Sequence, residues 1–515
     1  MAIPKPFVPR RALSVVAALA LATLAGSCTL AVRQEIYAPR NAKTTLITNV
    51  VIYDGTGDPP KKGSVRIADS IIVGIGALWP RTGEPKVDGG GLALAPGFID
   101  THSHADRALK NGNDGLGALS QGITTVIVGQ DGSSDFPIDR FFKRMVGGPL
   151  NIGSYVGHGT VRSRVMGSDF KREARPDEIQ KMQILVAEEL RSGAIGLSTG
   201  LEYDPGIYSS RNEILELAKT VANEEGRYAS HIRSEDREFW EAIEEVGMIA
   251  RTAKIPVHIS HMKLAMTSLW GLSDGLIRRL EGDRRRGISV TADVYPYRYW
   301  QSDLTVLFPQ RNFTDRTAAE FALREVAMPD SILLTKFGAN PSYEGKTLAE
   351  IARLRNSDPA STLMALITES EAAHSGSTII ATSMRESDIE TILKWSATNV
   401  CTDGELDGKH PRGFGAFTRV LGHYVRERKL MTFTEAIHKM TLLPAVSLGI
   451  PNRGIISTAM FADLVLLDTA AVIDRATTAE PHAISAGIAK VWVNGVLAFD
   501  NGRVTGAKAG KIVLP

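Results

Sequence analysis

The sequence predicts an α/β fold, a (β/α)8 (TIM) barrel joined to a small β-sandwich domain built from both chain ends. Three observations predict it. Apolar, β-branched runs recur along the middle of the chain, with helical patterns between them. Short strand-like pieces punctuated by Gly and Pro occupy both ends. Histidines and carboxylates stand where the central runs stop, and in such a barrel the catalytic side chains sit at the C-terminal ends of the strands.

The N-terminus is read apart from the fold. Lys5, Arg10 and Arg11 make a basic start, followed by the apolar "ALSVVAALALATLAG" and by small residues before Cys28. That segment is too short for a comfortable membrane-spanning helix. It resembles a bacterial lipoprotein signal over residues 1–27, cleaved before Cys28, which would then carry the lipid. An ordinary secretory signal cut nearby is the alternative. The expectation is an exported, periplasmic protein whose membrane contact runs only through a lipid on Cys28. Cys401 is the other cysteine of the two, so no intrachain disulfide framework is expected in the mature chain.

Residues 28–43 read as a tether. "TTLITNVVIY" and "GSVRIADSIIVGIG" open the β domain over 44–94, and "ADLVLLD" and "KVWVNGVLAFDNG" complete it over 451–515. The barrel is assigned to 95–450. Its eight strands are read near "LAPGFIDT", "GITTVIVG", "NIGSYVG", "GAIGLSTG", "YASHI", "PVHISH", "ISVTADV" and "TNVCTD". "PDEIQKMQILVAEELRSG" is a helix between two of them, with Asp177 and Glu178 in its first turn and Gly193 beyond its end. Residues about 302–377 break the rhythm between strands seven and eight and read as an insertion, placed as a lid over the barrel mouth.

With 515 residues, 43% hydrophobic and 23% charged, the composition is that of an ordinary globular protein. A formal net charge of +2 gives no reason to expect nucleic acid as a partner. Histidine is scarce, at 11 residues, so its placement is informative. His102 and His104 lie two apart on an extended backbone and point to one side. His231 in "SHIRSE" and His261 in "ISHMK" close successive strands, and Asp403 in "CTDGE" follows the last one. A metal-dependent hydrolase needs this combination of nitrogen ligands and a proton-moving carboxylate.

With these residues in place, the chain resembles the amidohydrolase superfamily, and within it the D-aminoacylases, or N-acyl-D-amino-acid deacylases. The supporting motifs are "PGFIDTHSHAD", "GHGTVR", "GLSTGLEYDPG", "DVYPY", "HPRGFG" and the ending "VWVNGVLAFDNGRVTGAKAGKIV", over a likeness running from about residue 44 to the end. The resemblance implies metal-dependent hydrolysis of the amide bond of N-acyl-D-amino acids, with one or two Zn2+ ions as cofactor. His231 and His261 match the ligands of a tightly held zinc, and His102 and His104 those of a second, weaker position. Asp403 matches the catalytic carboxylate and is also counted among the metal residues. Lys263, Tyr295 and Arg412 match the residues that hold the substrate's α-carboxylate, a task suited to a point charge, a hydroxyl donor and a guanidinium fork.

One departure stands out. Many D-aminoacylases carry a zinc-binding cysteine where this chain has Asp131. Two carboxylates could replace it. Glu202, after the fourth strand, is the expected metal bridge, with Asp131 as a ligand or a group behind the ligands. The expected substrate is a small N-acyl amino acid or short peptide. A dipeptidase on D-residue-containing peptides or a cyclic-amide hydrolase is the alternative on the same scaffold, and a non-catalytic binding lipoprotein is more remote.

Overall fold

The computed structural model describes residues 32–37 and 41–515; the expected signal peptide and Cys28 lie outside the described residues. Eight parallel strands form a closed α/β barrel: Phe98–Asp100, Ile123–Val128, Asn151–Ser154, Gly196–Gly200, Arg227–His231, Val257–Ile259, Val290–Val294 and Thr398–Val400. Each lies at a segment read as a strand from the sequence, the fifth beginning one residue earlier, at Arg227. They were legible because strands covered on both faces are continuous apolar runs rather than alternating ones. The third strand joins the fourth through Val156–Gly157 and an Ile195 N–H donated to Ser154 O at 2.9 Å. The eighth meets the first where Ser103 bridges Gly404 in parallel.

Helices wrap the strands. Pro176–Arg191 starts where expected: Pro supplies its first turn, and the Glu178 carboxylate folds back to accept the Arg175 N–H at 2.7 Å. Its Met182, Val186 and Leu190 are buried in the barrel's outer core together with Leu217 and Val221 of the next helix, Arg211–Asn223. The turn beyond it needs Gly193, whose φ is +107°.

Both chain ends meet in one sheet. Ala93–Pro96, from the N-terminal part, pairs parallel with Thr44–Ile52 and antiparallel with Leu464–Leu467. The path continues through Ile488–Val493 and Val496–Asp500 on one side, and through Lys61–Ala68 and Ile71–Gly76 on the other. Two residues of the expected tether, Gln34–Glu35, add an edge strand against Ile71–Gly76. Arg66 anchors this edge by pairing with Glu84 at 2.7 Å and Glu35 at 2.5 Å. Between barrel strands seven and eight, Tyr299–Ser302, Ile332–Phe337 and Ser377–Thr382 form a separate antiparallel sheet. Among the described residues, no helix is long and apolar enough to cross a membrane, and Cys401 is buried as a free thiol.

The β domain is tied to the barrel floor by a buried polar hub. Asp463 accepts from Asn151 at 3.1 Å and from the Asn494 N–H at 2.8 Å, and pairs with Arg453. Asn151, at the start of the third strand, accepts from the Asn494 amide at 2.7 Å and from the Lys511 N–H at 3.0 Å. Removing one partner of such a network leaves a buried charge unpaired. Asp463→Ala is therefore expected to cost about 3–5 kcal/mol, read as a lower urea midpoint of unfolding. An unchanged midpoint would show that the hub does not secure the two parts.

Candidate metal and catalytic site

The strand ends converge on the C-terminal mouth of the barrel. His102 and His104 follow the first strand, whose end is clamped to the eighth: the Asp100 carboxylate accepts from Thr402 N at 2.8 Å and from Thr402 Oγ1 at 2.5 Å. The Asp403 N–H donates to His102 O at 2.8 Å, and the His104 N–H to Gly404 O at 3.0 Å. After the second strand the chain turns at Gly129, where a Cβ would lie 2.2 Å from Tyr155 O, and this turn delivers Asp131. His231 is the last residue of the fifth strand. His261 follows the sixth, with its N–H held by the Asp293 carboxylate of the seventh. Asp131, His261 and Asp403 all adopt left-handed backbone, with φ of 53°, 35° and 48°.

Three donor groups result, and the first two share one carboxylate. In the first, His104 Nε2 lies 3.2 Å from Asp131 Oδ2 and 3.3 Å from Asp403 Oδ1, and His102 Nε2 lies 3.4 and 3.5 Å from the same atoms. In the second, His261 Nε2 lies 3.3 Å from Asp131 Oδ1 and 3.0 Å from His231 Nδ1. A tetrahedral shell with bonds of about 2.1 Å places its donors roughly 3.4 Å apart, so both groups have the spacing of a first-row divalent cation's ligands. His102 supports this independently. It is fully buried, and neither ring nitrogen has a hydrogen-bond partner. Such a ring is costly unless its lone pair meets an ion.

Asp131 and Glu202, the two carboxylates expected at the metal, both lie against these histidines. Asp131 offers Oδ2 to one group and Oδ1 to the other, whereas Glu202 faces the opposite side of His231, with Oε2 3.1 Å from Nε2. The loop after the fourth strand carries Glu202 past the donor groups, and the Glu235 N–H pins its Oε1 at 2.7 Å. Glu202, His231 and Glu235 make a third group, whose ligand atoms lie within 4.8 Å of one another.

The electrostatics suit that arrangement. Burial pushes the Asp131 carboxyl up, but His102 and His261 overcome this and hold it well below the usual range. Burial likewise works against ionised Asp403, and Arg412 with the histidines outweighs it. Glu202 has less compensation, and burial raises its pKa. Both anions near the metal donors thus stay charged, as ligands must.

Lys263, Tyr295 and Arg412 are brought together beside Asp403. The Arg412 guanidinium lies 4.8 Å from the Tyr295 ring centroid and pairs with Asp403 Oδ2 at 2.6 Å. Lys263 Nζ is 5.7 Å from the same ring. The buried Tyr295 hydroxyl has no partner, whereas that of Tyr297 donates to Asp474. Sequence reasoning did not single out Glu235, which holds Lys263 Nζ at 2.7 and 2.9 Å. The available signal was the carboxylate that ends "SHIRSE".

Residues 86–328 and 344–499 match the amidohydrolase family model. A D-aminoacylase of Alcaligenes xylosoxydans xylosoxydans is 32% identical over 495 residues, 91% of this chain and 97% of that protein. The solved N-acyl-D-glutamate deacylase of Bordetella bronchiseptica, complexed with zinc and a phosphonate inhibitor described as a mimic of the reaction tetrahedral intermediate, is 32% identical. It covers 92% of this chain and 99% of its own, with a TM-score of 0.83. A solved D-aminoacylase, described as having a binuclear metal center, is 31% identical over the same shares with a TM-score of 0.82. The chain belongs to the amidohydrolase family, on its D-aminoacylase branch.

Proposed function

We propose that the protein is a zinc-dependent hydrolase of N-acyl-D-amino acids, releasing a carboxylate and a free D-amino acid. The observation that carries this reading is the Asp131 carboxylate shared by two histidine pairs, with Asp403 facing one of them. His102, His104 and Asp131 would hold one zinc, with Asp403 at its edge, and His231, His261 and Asp131 the other. Bound zinc would supply the Lewis acid that polarises an acyl carbonyl and acidifies water. The stereochemistry comes from the likeness to the D-aminoacylases.

The remaining chemistry falls to the chain's own groups. Arg412 and Lys263 neutralise the substrate's α-carboxylate, and the unpartnered Tyr295 hydroxyl donates to it. This fixes the amide before Asp403. Asp403 takes a proton from the attacking water and delivers it to the departing nitrogen as the C–N bond breaks. A cyclic amide has no free α-carboxylate for these three side chains, which favours the open-chain substrate.

The same proposal covers the finer architecture. Nine strands drawn from residues 44–96 and 464–504, with Gln34–Glu35 added at one edge, cover a core of Ile47, Val65, Ile72, Leu464 and Trp492, which supports a sandwich domain flanking a barrel over 95–450. Trp300, Gln301 and Ser302 line the cavity over the donors, which supports a lid role for the insertion. Export to the periplasm with a lipid on Cys28 rests on the leader sequence.

Four measurements test this. The zinc-loaded protein should hydrolyse N-acetyl-D-amino acids, lose activity to a chelator and regain it with zinc; turnover of L-substrates alone would end the reading. Asp403→Asn should lower kcat by about 10²–10⁴-fold, the usual worth of a general acid–base, with the fold intact by circular dichroism. Asp131→Ala should leave less than one bound zinc by metal analysis. Glu202→Ala should retain metal but weaken its affinity by about 10–100-fold; the reverse ranking would restore Glu202 as the bridge.

A further inference from the structure

Arg412, the guanidinium assigned to the substrate's α-carboxylate, opens the helix Arg412–Arg419. Its Nε is buried, with no acceptor among the described residues. Such a donor serves only at the right angle, because hydrogen bonds weaken steeply away from linearity. The residue two before it holds its backbone. The Arg412 N–H donates to His410 Nδ1 at 3.1 Å, and His410 Nε2 lies 2.9 Å from Tyr299 O. A backbone N–H only donates and a carbonyl only accepts. Nδ1 is therefore bare, and Nε2 carries the hydrogen. His410 is buried, and that burial, with the charge of Arg412, pushes its pKa well below the usual histidine range. The ring stays neutral and keeps its acceptor. Protonation would set an N–H against the Arg412 N–H.

The ring also stands among three aromatic neighbours. The rings of Tyr295, Tyr297 and Tyr299 have centroids 6.2, 5.5 and 4.9 Å from its own. Tyr295 is the hydroxyl donor assigned to the same carboxylate. Tyr299 begins the antiparallel sheet of the insertion, and the next three residues, Trp300, Gln301 and Ser302, line the cavity over the metal donors. One buried imidazole thus joins the start of the helix that carries Arg412 to the strand that borders the cavity. Shape alone does not account for a histidine here. A phenylalanine would fill similar space and offer neither nitrogen.

We propose that His410 is a positioning residue for the reaction: it sets the angle at which Arg412 meets the α-carboxylate and ties that angle to the first strand of the insertion. The inference rests on the deacylase reading and on Arg412 as the carboxylate's partner. His410 itself touches no reacting atom.

The test uses the zinc-loaded protein with N-acetyl-D-Leu and with N-acetyl-D-leucinamide, in which a neutral amide replaces the α-carboxylate. His410→Ala should lower kcat/KM on the acid by about tenfold or more, mainly through KM. Turnover of the amide should change far less, with zinc content and circular dichroism unaltered. His410→Asn, whose Oδ1 can stand in for Nδ1, should recover much of the loss, and His410→Phe should not. That pair decides the matter even where alanine disturbs packing. In the Arg412→Ala protein, His410→Ala should add little, because residues that act through one another are not additive. Equal loss on acid and amide overturns the inference and leaves the deacylase reading standing. So does full additivity with Arg412→Ala, or rescue by His410→Phe but not by His410→Asn. Inertness of the unaltered protein towards every D-substrate with zinc bound overturns both.

Discussion

The closure of the barrel between its first and eighth strands is the contact on which the site depends. Two backbone hydrogen bonds, Asp403 N–H to His102 O and His104 N–H to Gly404 O, set the register there. Because successive side chains alternate across a strand, a one-residue slip would turn His102 and His104 away from Asp403. The Asp100–Thr402 clamp below guards that register with two more hydrogen bonds. Histidines from one end of a roughly 300-residue stretch thus reach within 3.5 Å of a carboxylate from the other. Closing the fold and assembling the donors are the same event.

The three site residues in left-handed backbone show how the strands are ended. Sparsely populated φ/ψ regions cost of order 1–3 kcal/mol each when the surroundings must enforce them, and Asp and His tolerate this region better than most. At His261 the amide is held by Asp293, itself fixed by Thr101 at 2.7 Å and His258 at 2.8 Å. At Asp403 it is held by His102 O. Each turn swings a side chain inward at the level where a strand would otherwise continue into solvent.

Much of this was legible in the sequence because buried parallel strands leave continuous apolar runs, and a strand end fixes where its side chain emerges. His102, His104, His231, His261 and Asp403 were read on that basis. Loop residues were harder. Glu202 lies two residues past Gly200, and nothing local indicates whether its carboxylate enters the metal donors or stands behind His231. Glu235 meets Lys263 only because the loop after the fifth strand folds back, a matter of tertiary packing rather than spacing. The antiparallel sheet between the last two barrel strands begins at Tyr299 and ends at Thr382, wider than the interruption in rhythm suggested.

The sheet shared by both chain ends has a temporal meaning as well. Ala93–Pro96 has Leu464–Leu467 as its neighbour, and the floor of the third barrel strand is bridged by Ile512. At about 5–20 residues per second, the ribosome makes the later segments tens of seconds after the earlier ones. The N-terminal strands therefore wait as an unfinished sheet edge, and such edges invite pairing with the wrong partner. The early strand gains this neighbour only after the whole barrel has been made. Completion of the sheet in this sense waits for residues 464–467.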